Sequence, residues 1–269
     1  MSGEHHPEWV IDPEVPSVAR MYDYYLGGKD NFAADREAAD QVVSAMPNVL
    51  EFTRANRRLL SRAVTMMAGR GVRQFLDIGS GLPTRENVHE VAQKAAPGSR
   101  VIYVDNDPIV LVHARALLAD NPLTTVVQAD LREPESIVDH PEVRSRIDFD
   151  EPVGLLLLAI LHFVPDEDRP AGIVAKLRKP LAPGSFLVIS HGHRGEVAQG
   201  VEDQVRSAYG RTGAGDIVPR GIDEVGAFFE GTEMAGPGLV QVADWRMGAE
   251  PFEPDMSRPG FLAGVGEVV

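Results

Sequence analysis

Three short segments of this sequence combine glycines, carboxylates and small polar residues in a way that suits ligand binding. The first is Phe75-Leu76-Asp77-Ile78-Gly79-Ser80-Gly81, an apolar run that enters a glycine turn ahead of a helix. Gly79 and Gly81 let the backbone turn tightly and let a ligand approach it closely. The N–H groups that open the following helix point at the same place. Asp77 stands two residues before the first glycine, and Pro83 replaces the later part of a pyrophosphate-binding G-x-G-x-x-G. A carboxylate there suits a ligand with an ammonium group better than one with a pyrophosphate. The second segment is Val101-Ile102-Tyr103-Val104-Asp105-Asn106-Asp107-Pro108. An acidic residue at the tip of a second strand, roughly 20–30 residues after the glycines, fits a ribose diol. Asp105, with Asn106 beside it, takes that part, and Asp107 caps the helix that Pro108 opens. The third is Gln128-Ala129-Asp130-Leu131. Its carboxylate can accept from the exocyclic amine of an adenine while Leu131 packs on the ring.

Other residues could move protons or hold a second molecule. His162 follows a fourth apolar run, and His191 and His193 follow a fifth, both on the side where a ligand would sit. A histidine there can act as general base, with His162 the first choice and His191 the next; packing is the competing role for each. Tyr22, Tyr24 and Tyr25 place three of the chain's five tyrosines within four residues. Tyr22 and Tyr25 can orient a reacting partner, with Arg20 and Asn31 on the same segment, and Gly27-Gly28 supplies a hinge. This segment reads as a lid closing over a site, against the plainer reading of a helix pair packed on a sheet. Arg57, Arg58 and Arg62 recur at helical spacing and read as a solvated helix face. No metal site is expected. The chain has no cysteine, His191-x-His193 lacks a carboxylate partner, and His5 and His6 fall in a polar N-terminal stretch.

The elements that would carry these residues follow from periodicity. Residues 1–16 read as an irregular tail and 17–71 as a helical lid. That lid has helices from Ser17 to Tyr25, from an Asp30 cap to Met46, and from Leu50 to Ala68. From residue 72 to 269 short apolar runs alternate with helices. Strands are predicted at 74–78, 100–104, 124–128, 153–158 and 185–190, with helices at 85–95, 108–119, 134–138, 167–179, 197–209 and 223–230. This alternation predicts an α/β fold with a parallel sheet covered on both faces. The last two strands, 239–246 and 261–268, are joined without a convincing helix and are expected to be antiparallel.

Bulk properties narrow the function. A formal net charge of −14 gains little from counterion release on a phosphate backbone, so a nucleic-acid partner is not expected. The longest apolar run is too short to span a bilayer, and the N-terminus lacks the pattern of a secretion signal. A cytoplasmic protein acting without a membrane is expected; the sequence does not specify its oligomeric state.

Taken together, the three segments resemble the class I S-adenosylmethionine-dependent methyltransferases. The run from Ser17 to Arg36, with Arg54-Ala55-Asn56-Arg57, the Val104–Pro108 segment, Pro237-Gly238-Leu239-Val240 and Trp245-Arg246, is more specific. It is similar to an actinobacterial methyltransferase family formerly carried as a domain of unknown function. The resemblance implies a Rossmann-like seven-stranded sheet, mostly parallel with an antiparallel C-terminal strand, and S-adenosyl-L-methionine as cofactor. It implies that Gly79, Ser80 and Gly81 line the methionine end, Asp105 binds ribose, and Asp130 and Leu131 hold adenine. Ala159 and Ile160 would line the sulfonium side. The expected activity is methyl transfer to an O, N or C atom of a small-molecule acceptor. Two alternatives stay open: a non-catalytic regulator that binds the same cofactor, and a nicotinamide-dependent dehydrogenase. Asp77 and the antiparallel ending argue against the latter.

Overall fold

The computed structural model describes residues 12–83, 86–118, 120–248 and 255–269. His5 and His6, and most of the segment read as an irregular tail, lie outside the described residues. Three helices come first: α1 (Val18–Tyr25), α2 (Ala33–Ala45) and α3 (Val49–Gly69). Then β1 (Gln74–Ile78), α4 (Val88–Ala95), β2 (Arg100–Asp105), α5 (Pro108–Leu118) and β3 (Thr124–Gln128) alternate. Two short helices, α6 (Pro134–Val138) and α7 (Pro141–Arg146), lead to β4 (Val153–Leu158), α8 (Pro170–Arg178) and β5 (Phe186–His193). The chain closes with α9 (Gln199–Tyr209), α10 (Ile222–Gly226), β6 (Thr232–Gln241) and β7 (Gly260–Val268).

The seven strands form one sheet in the order β3-β2-β1-β4-β5-β7-β6. The first five are parallel, and β7 inserts antiparallel between β5 and β6. The sheet is the mostly parallel, Rossmann-like one expected. Its order reverses between β1 and β4, and a crevice outside the carboxyl ends of strands opens at such a point. The central strand β4 is buried on both faces, as its unbroken leucine run requires. Leu155 and Leu157 join the core shared with Leu76, Ile102 and Ile189, while Leu156 packs with Phe75, Val101 and Val188 on the other side. Against that second face lies α3, with Leu59, Leu60, Ala63, Val64 and Met67 on one stripe. Among the described residues no helix is long and apolar enough to cross a membrane.

Several local expectations shift. Asp30 does not cap α2. The helix starts at Ala33, and the Asp35 carboxylate accepts the Phe32 N–H at 2.7 Å. The Asp30 N–H goes instead to Asp23 Oδ2 at 3.0 Å. Gly27-Gly28 is a closed turn. Gly27 ends α1 at φ +79°, and a Cβ on Gly28 would fall 1.9 Å from Asp23 Oδ1. The helix expected at 167–179 is broken by Arg169 at φ +53° and begins at Pro170. Strand β6 starts seven residues earlier than expected, because Gly236 and Gly238 form a bulge inside it rather than a link before it. The short helix α7 has no counterpart among the expected elements.

Candidate active site

A cleft of about 500 Å³ lies at the switch point, and all three sequence segments line it. Gly79 sits at φ +71° and donates its N–H to Val104 O at 2.8 Å. A Cβ there would fall 2.5 Å from Ile160 Cγ1, so only glycine fits under the Ile160 side chain. Asp105 ties the glycine loop to the next one. Its Oδ2 accepts the Gly81 N–H and its Oδ1 the Asp107 N–H, each at 2.9 Å. Asp107 caps α5, accepting the Ile109 N–H at 2.8 Å, and also accepts Ser17 Oγ at 2.9 Å. That second bond fastens the start of α1 to the rim of the cleft.

Two carboxylates in the cleft have raised pKa values. Burial pushes Asp77 up to about 7, with Arg57 opposing and Asp105 adding to the shift. Burial likewise pushes Asp105 up to about 6, against the hydrogen bonds from Asp107 and Gly81. Asp130 differs. Hydrogen bonds from Arg132 hold it below the usual carboxylate range, with Arg132 Nε 3.0 Å from Oδ1 and Asn106 Nδ2 3.4 Å from Oδ2. Leu131 is buried beside it.

Ala159 and Ile160 leave β4 on the opposite wall. Ala159 holds φ +55°, a conformation that costs a non-glycine residue energy. Its N–H is fixed by Ser190 O at 3.0 Å and Ser190 Oγ at 2.9 Å. The remaining wall comes from Val15 to Ala19, from Tyr22 and Asp23 of α1, and from Asn56, Arg57 and Leu60 of α3. Asn56 Nδ2 donates to Tyr22 OH at 2.9 Å, and the hydroxyl reaches Thr53 O at 3.4 Å. Asn56 Oδ1 is buried without a hydrogen-bond partner among the described residues.

Not every candidate reaches the cleft. Arg20 is buried and its Nε lies 2.8 Å from Asp35 Oδ2, so it serves the packing of α1 on α2. Asn31 donates to Asp23 Oδ2 at 2.8 Å and does not line the cleft. His191 also faces away. Its Nδ1 donates to Gly192 O at 2.8 Å, and its Nε2 accepts from Arg220 Nη1 at 3.0 Å. His162 is buried near the cleft, but its Nδ1 accepts the Gly192 N–H at 3.1 Å, which puts its proton on Nε2. A ring in that state can donate a hydrogen bond and has no free lone pair to take a proton. Tyr25 lies deeper, beside Tyr209. Asn56 and Arg132 join the cleft although neither is read from the sequence as a site residue, and Arg57 enters it although its spacing reads as a solvated face. Asn56 is detectable as the polar residue on the buried stripe of α3, between Ala55 and Leu59.

Comparison with known proteins settles the family. A family model described as S-adenosyl methyltransferase matches residues 4–269. The chain belongs to the S-adenosyl methyltransferase family. A DUF574 family protein of Streptomyces avermitilis is 42% identical, with 97% of this chain and all of that one covered and a TM-score of 0.86. A Thermobifida fusca protein provisionally assigned as a methyltransferase is 41% identical, covering 94% and 95%, with a TM-score of 0.84. An O-methyltransferase family protein of Burkholderia thailandensis shares the fold at 11% identity, covering 95% of this chain and 64% of that one, with a TM-score of 0.52. No match was found among curated proteins.

As a member of this family the protein is an S-adenosylmethionine-dependent methyltransferase, and neither the regulator nor the dehydrogenase alternative is favoured. The cleft suits the cofactor chemically. An ammonium group would give Asn56 Oδ1 the donor it lacks and would favour the ionised form of Asp77.

Proposed function

We propose that the enzyme methylates a small molecule, with S-adenosyl-L-methionine held across the cleft from Asp77 to Asp130. In this reading Asp77 and Asn56 receive the ammonium group and Arg57 faces the carboxylate. Gly79, Ser80 and Gly81 pass close under the methionine chain. Asp105, backed by Asn106, accepts from the ribose hydroxyls, Asp130 accepts from the adenine amine, and Leu131 packs on the ring. Ala159, Ile160 and Tyr22 border the reacting end. Bound there, the cofactor supplies an electrophilic methyl group on a good leaving group, so the chain's main task is to position the reactants and exclude water. Residues 17–71 form the cap that does this, fastened at Ser17–Asp107.

One observation carries the reading: a buried carboxylate pushed up to about 7 shares a cleft with an unpartnered amide oxygen. Both would be relieved by one cationic donor. The acidic chain, with a net charge of −14, supports a diffusible acceptor over a nucleic acid. Calorimetric titration with S-adenosylmethionine and S-adenosylhomocysteine tests it. Binding that Asp77→Ala weakens by tenfold or more is expected. A folded protein that binds neither compound would overturn it.

A further inference from the structure

A second cavity of about 80 Å³ adjoins the cleft, and Val18, Tyr22, Ala159 and Phe163 line both. It therefore begins where the reacting end of the cofactor is proposed to lie. Of the first five sheet strands only the end of β5 reaches it, with Ala159, His162 and Phe163 from the turn after β4; α1, α2, α3 and α9 supply much of its wall. That wall is aromatic. Phe52 and Phe261 meet with ring centroids 4.7 Å apart, His162 stacks on Phe261 at 5.5 Å, and Phe163 meets Tyr209 at 5.5 Å. At roughly 10–15 Å³ for each water, the space of about 80 Å³ takes about six waters, or, since covalently bonded atoms pack more closely, about one ring with a short substituent.

Among the polar groups that line the chamber, the buried Tyr25–Tyr209 pair is left incomplete by its own contacts. Tyr25 OH and Tyr209 OH lie 3.3 Å apart, and both residues are more than nine-tenths buried. Each phenol carries one hydrogen. One hydrogen fills the bond between the two oxygens, and the other has no acceptor among the described residues. Burial pushes Tyr25 well above the ordinary tyrosine range and Tyr209 up to about 12, so both remain donors at neutral pH. Of the charged side chains that line the chamber, Arg194 and Arg206 are exposed, with Arg206 already 3.1 Å from Asp216, and Glu202 is half-buried on α9, an element separate from those that carry Phe52, Phe261 and His162. A charged group inside would lose its hydration to an aromatic wall, which is costly without a counter-ion.

We propose that this chamber selects the methyl acceptor, and that the acceptor enters as a flat, uncharged single ring carrying a hydrogen-bond acceptor atom that the Tyr25–Tyr209 pair recognises. The inference rests on the methyltransferase reading of the neighbouring cleft and adds a substrate class to it. Binding tests it without requiring the natural acceptor. The protein is saturated with S-adenosylhomocysteine and titrated with acetophenone, ethylbenzene and benzoate, followed by calorimetry and saturation-transfer NMR. Acetophenone is expected to bind about fivefold more tightly than ethylbenzene, the worth of one neutral hydrogen bond, and benzoate not at all. In Tyr25→Phe/Tyr209→Phe that preference falls to within twofold while ethylbenzene still binds; if the double variant does not fold, intermolecular NOEs from acetophenone to the Tyr25 and Tyr209 rings of the wild type are expected instead, and their absence overturns the assignment. Failure of S-adenosylhomocysteine to bind would remove the underlying reading. Normal S-adenosylhomocysteine binding with no neutral probe bound, or with benzoate bound best, would overturn only the chamber's role. So would a preference for acetophenone that survives loss of the hydroxyls.

Discussion

Asp105 Oδ2 accepts the Gly81 N–H at 2.9 Å, so the residue expected to hold the ribose also holds the glycine loop. The carboxylate is fixed before any ligand arrives, and preorganisation of this kind lowers the cost of binding. Asp105→Ala removes the ribose acceptor and frees the loop together. S-adenosylhomocysteine affinity should fall by tenfold or more, about 1.4 kcal/mol. Asp105→Asn keeps one acceptor oxygen and should fall less. Calorimetry on both variants checks the order; equal loss in the two would mean that the charge alone matters.

Asp77 makes a prediction about pH. Its side chain is pushed up to about 7 in the ligand-free protein, and a cationic ammonium binds its ionised form. Affinity for S-adenosylmethionine should be flat above pH 7 and fall toward tenfold per unit below it. Asp77→Asn should bind weakly with no such slope. The effect on stability has the opposite sense. An unfolded Asp77 titrates near 3.8, so between about pH 4 and pH 7 the folded protein retains a proton that the unfolded chain has lost. Stability therefore falls as pH rises through that window. Asp77→Asn lacks the loss and should be more stable than wild type at pH 8, by up to about 4 kcal/mol, and so should melt higher. A variant that both binds poorly and melts lower would show that Asp77 is structural.

The cofactor segments are legible in the sequence because each is local: a strand tip and the turn after it fix where Asp77, Gly79, Asp105 and Asp130 stand. The strand order is also within reach, since alternation and the antiparallel ending constrain it. The rest depends on contacts distant in sequence. Arg20 reads as a substrate residue because it neighbours the tyrosines, yet Asp35, fifteen positions on, buries it in an ion pair. Asp35 also accepts the Ser17 and Phe32 N–H groups, at 2.8 and 2.7 Å. One carboxylate thus organises both helix starts, and no spacing rule announces that. His191 alternates along β5 in register with core residues, and its orientation is set by Arg220, which lies twenty-nine positions away in the chain. The chamber needs α9 to pack on α2, a contact that neither helix signals alone.

Gly79 offers a test of the loop that does not depend on catalysis. Its φ of +71° and the 2.5 Å separation between Ile160 Cγ1 and the place a Cβ would occupy are separate obstacles to a side chain. Gly79→Ala should cost about 1–3 kcal/mol for the clash and a further 1–2 kcal/mol or so for the left-handed backbone. Combining it with Ile160→Ala should return the first part and leave the second. Urea denaturation of the four proteins in that cycle measures the coupling directly. Strict additivity would mean that Ile160 moves aside freely and that the glycine is required for its backbone alone.

His162 and His191 are expected to hold their protons on opposite nitrogens. A backbone N–H can only donate, so Gly192 leaves His162 with its proton on Nε2. Gly192 O and Arg220 leave His191 with its proton on Nδ1. Burial drives His162 well below the ordinary histidine range, helped by His191 and Arg220, and drives His191 to about 3. Neither ring should titrate between pH 5.5 and 8, and 15N NMR of the imidazoles should report the two tautomers directly. His162→Asn, whose Oδ1 takes the place of Nδ1, should preserve stability better than His162→Ala, which strands the buried Gly192 N–H at about 1–3 kcal/mol. A His162 resonance that moves with a midpoint near 6.5 would restore it as a general base. Tautomers as described leave positioning and desolvation to carry the reaction, with any proton leaving the acceptor by another route.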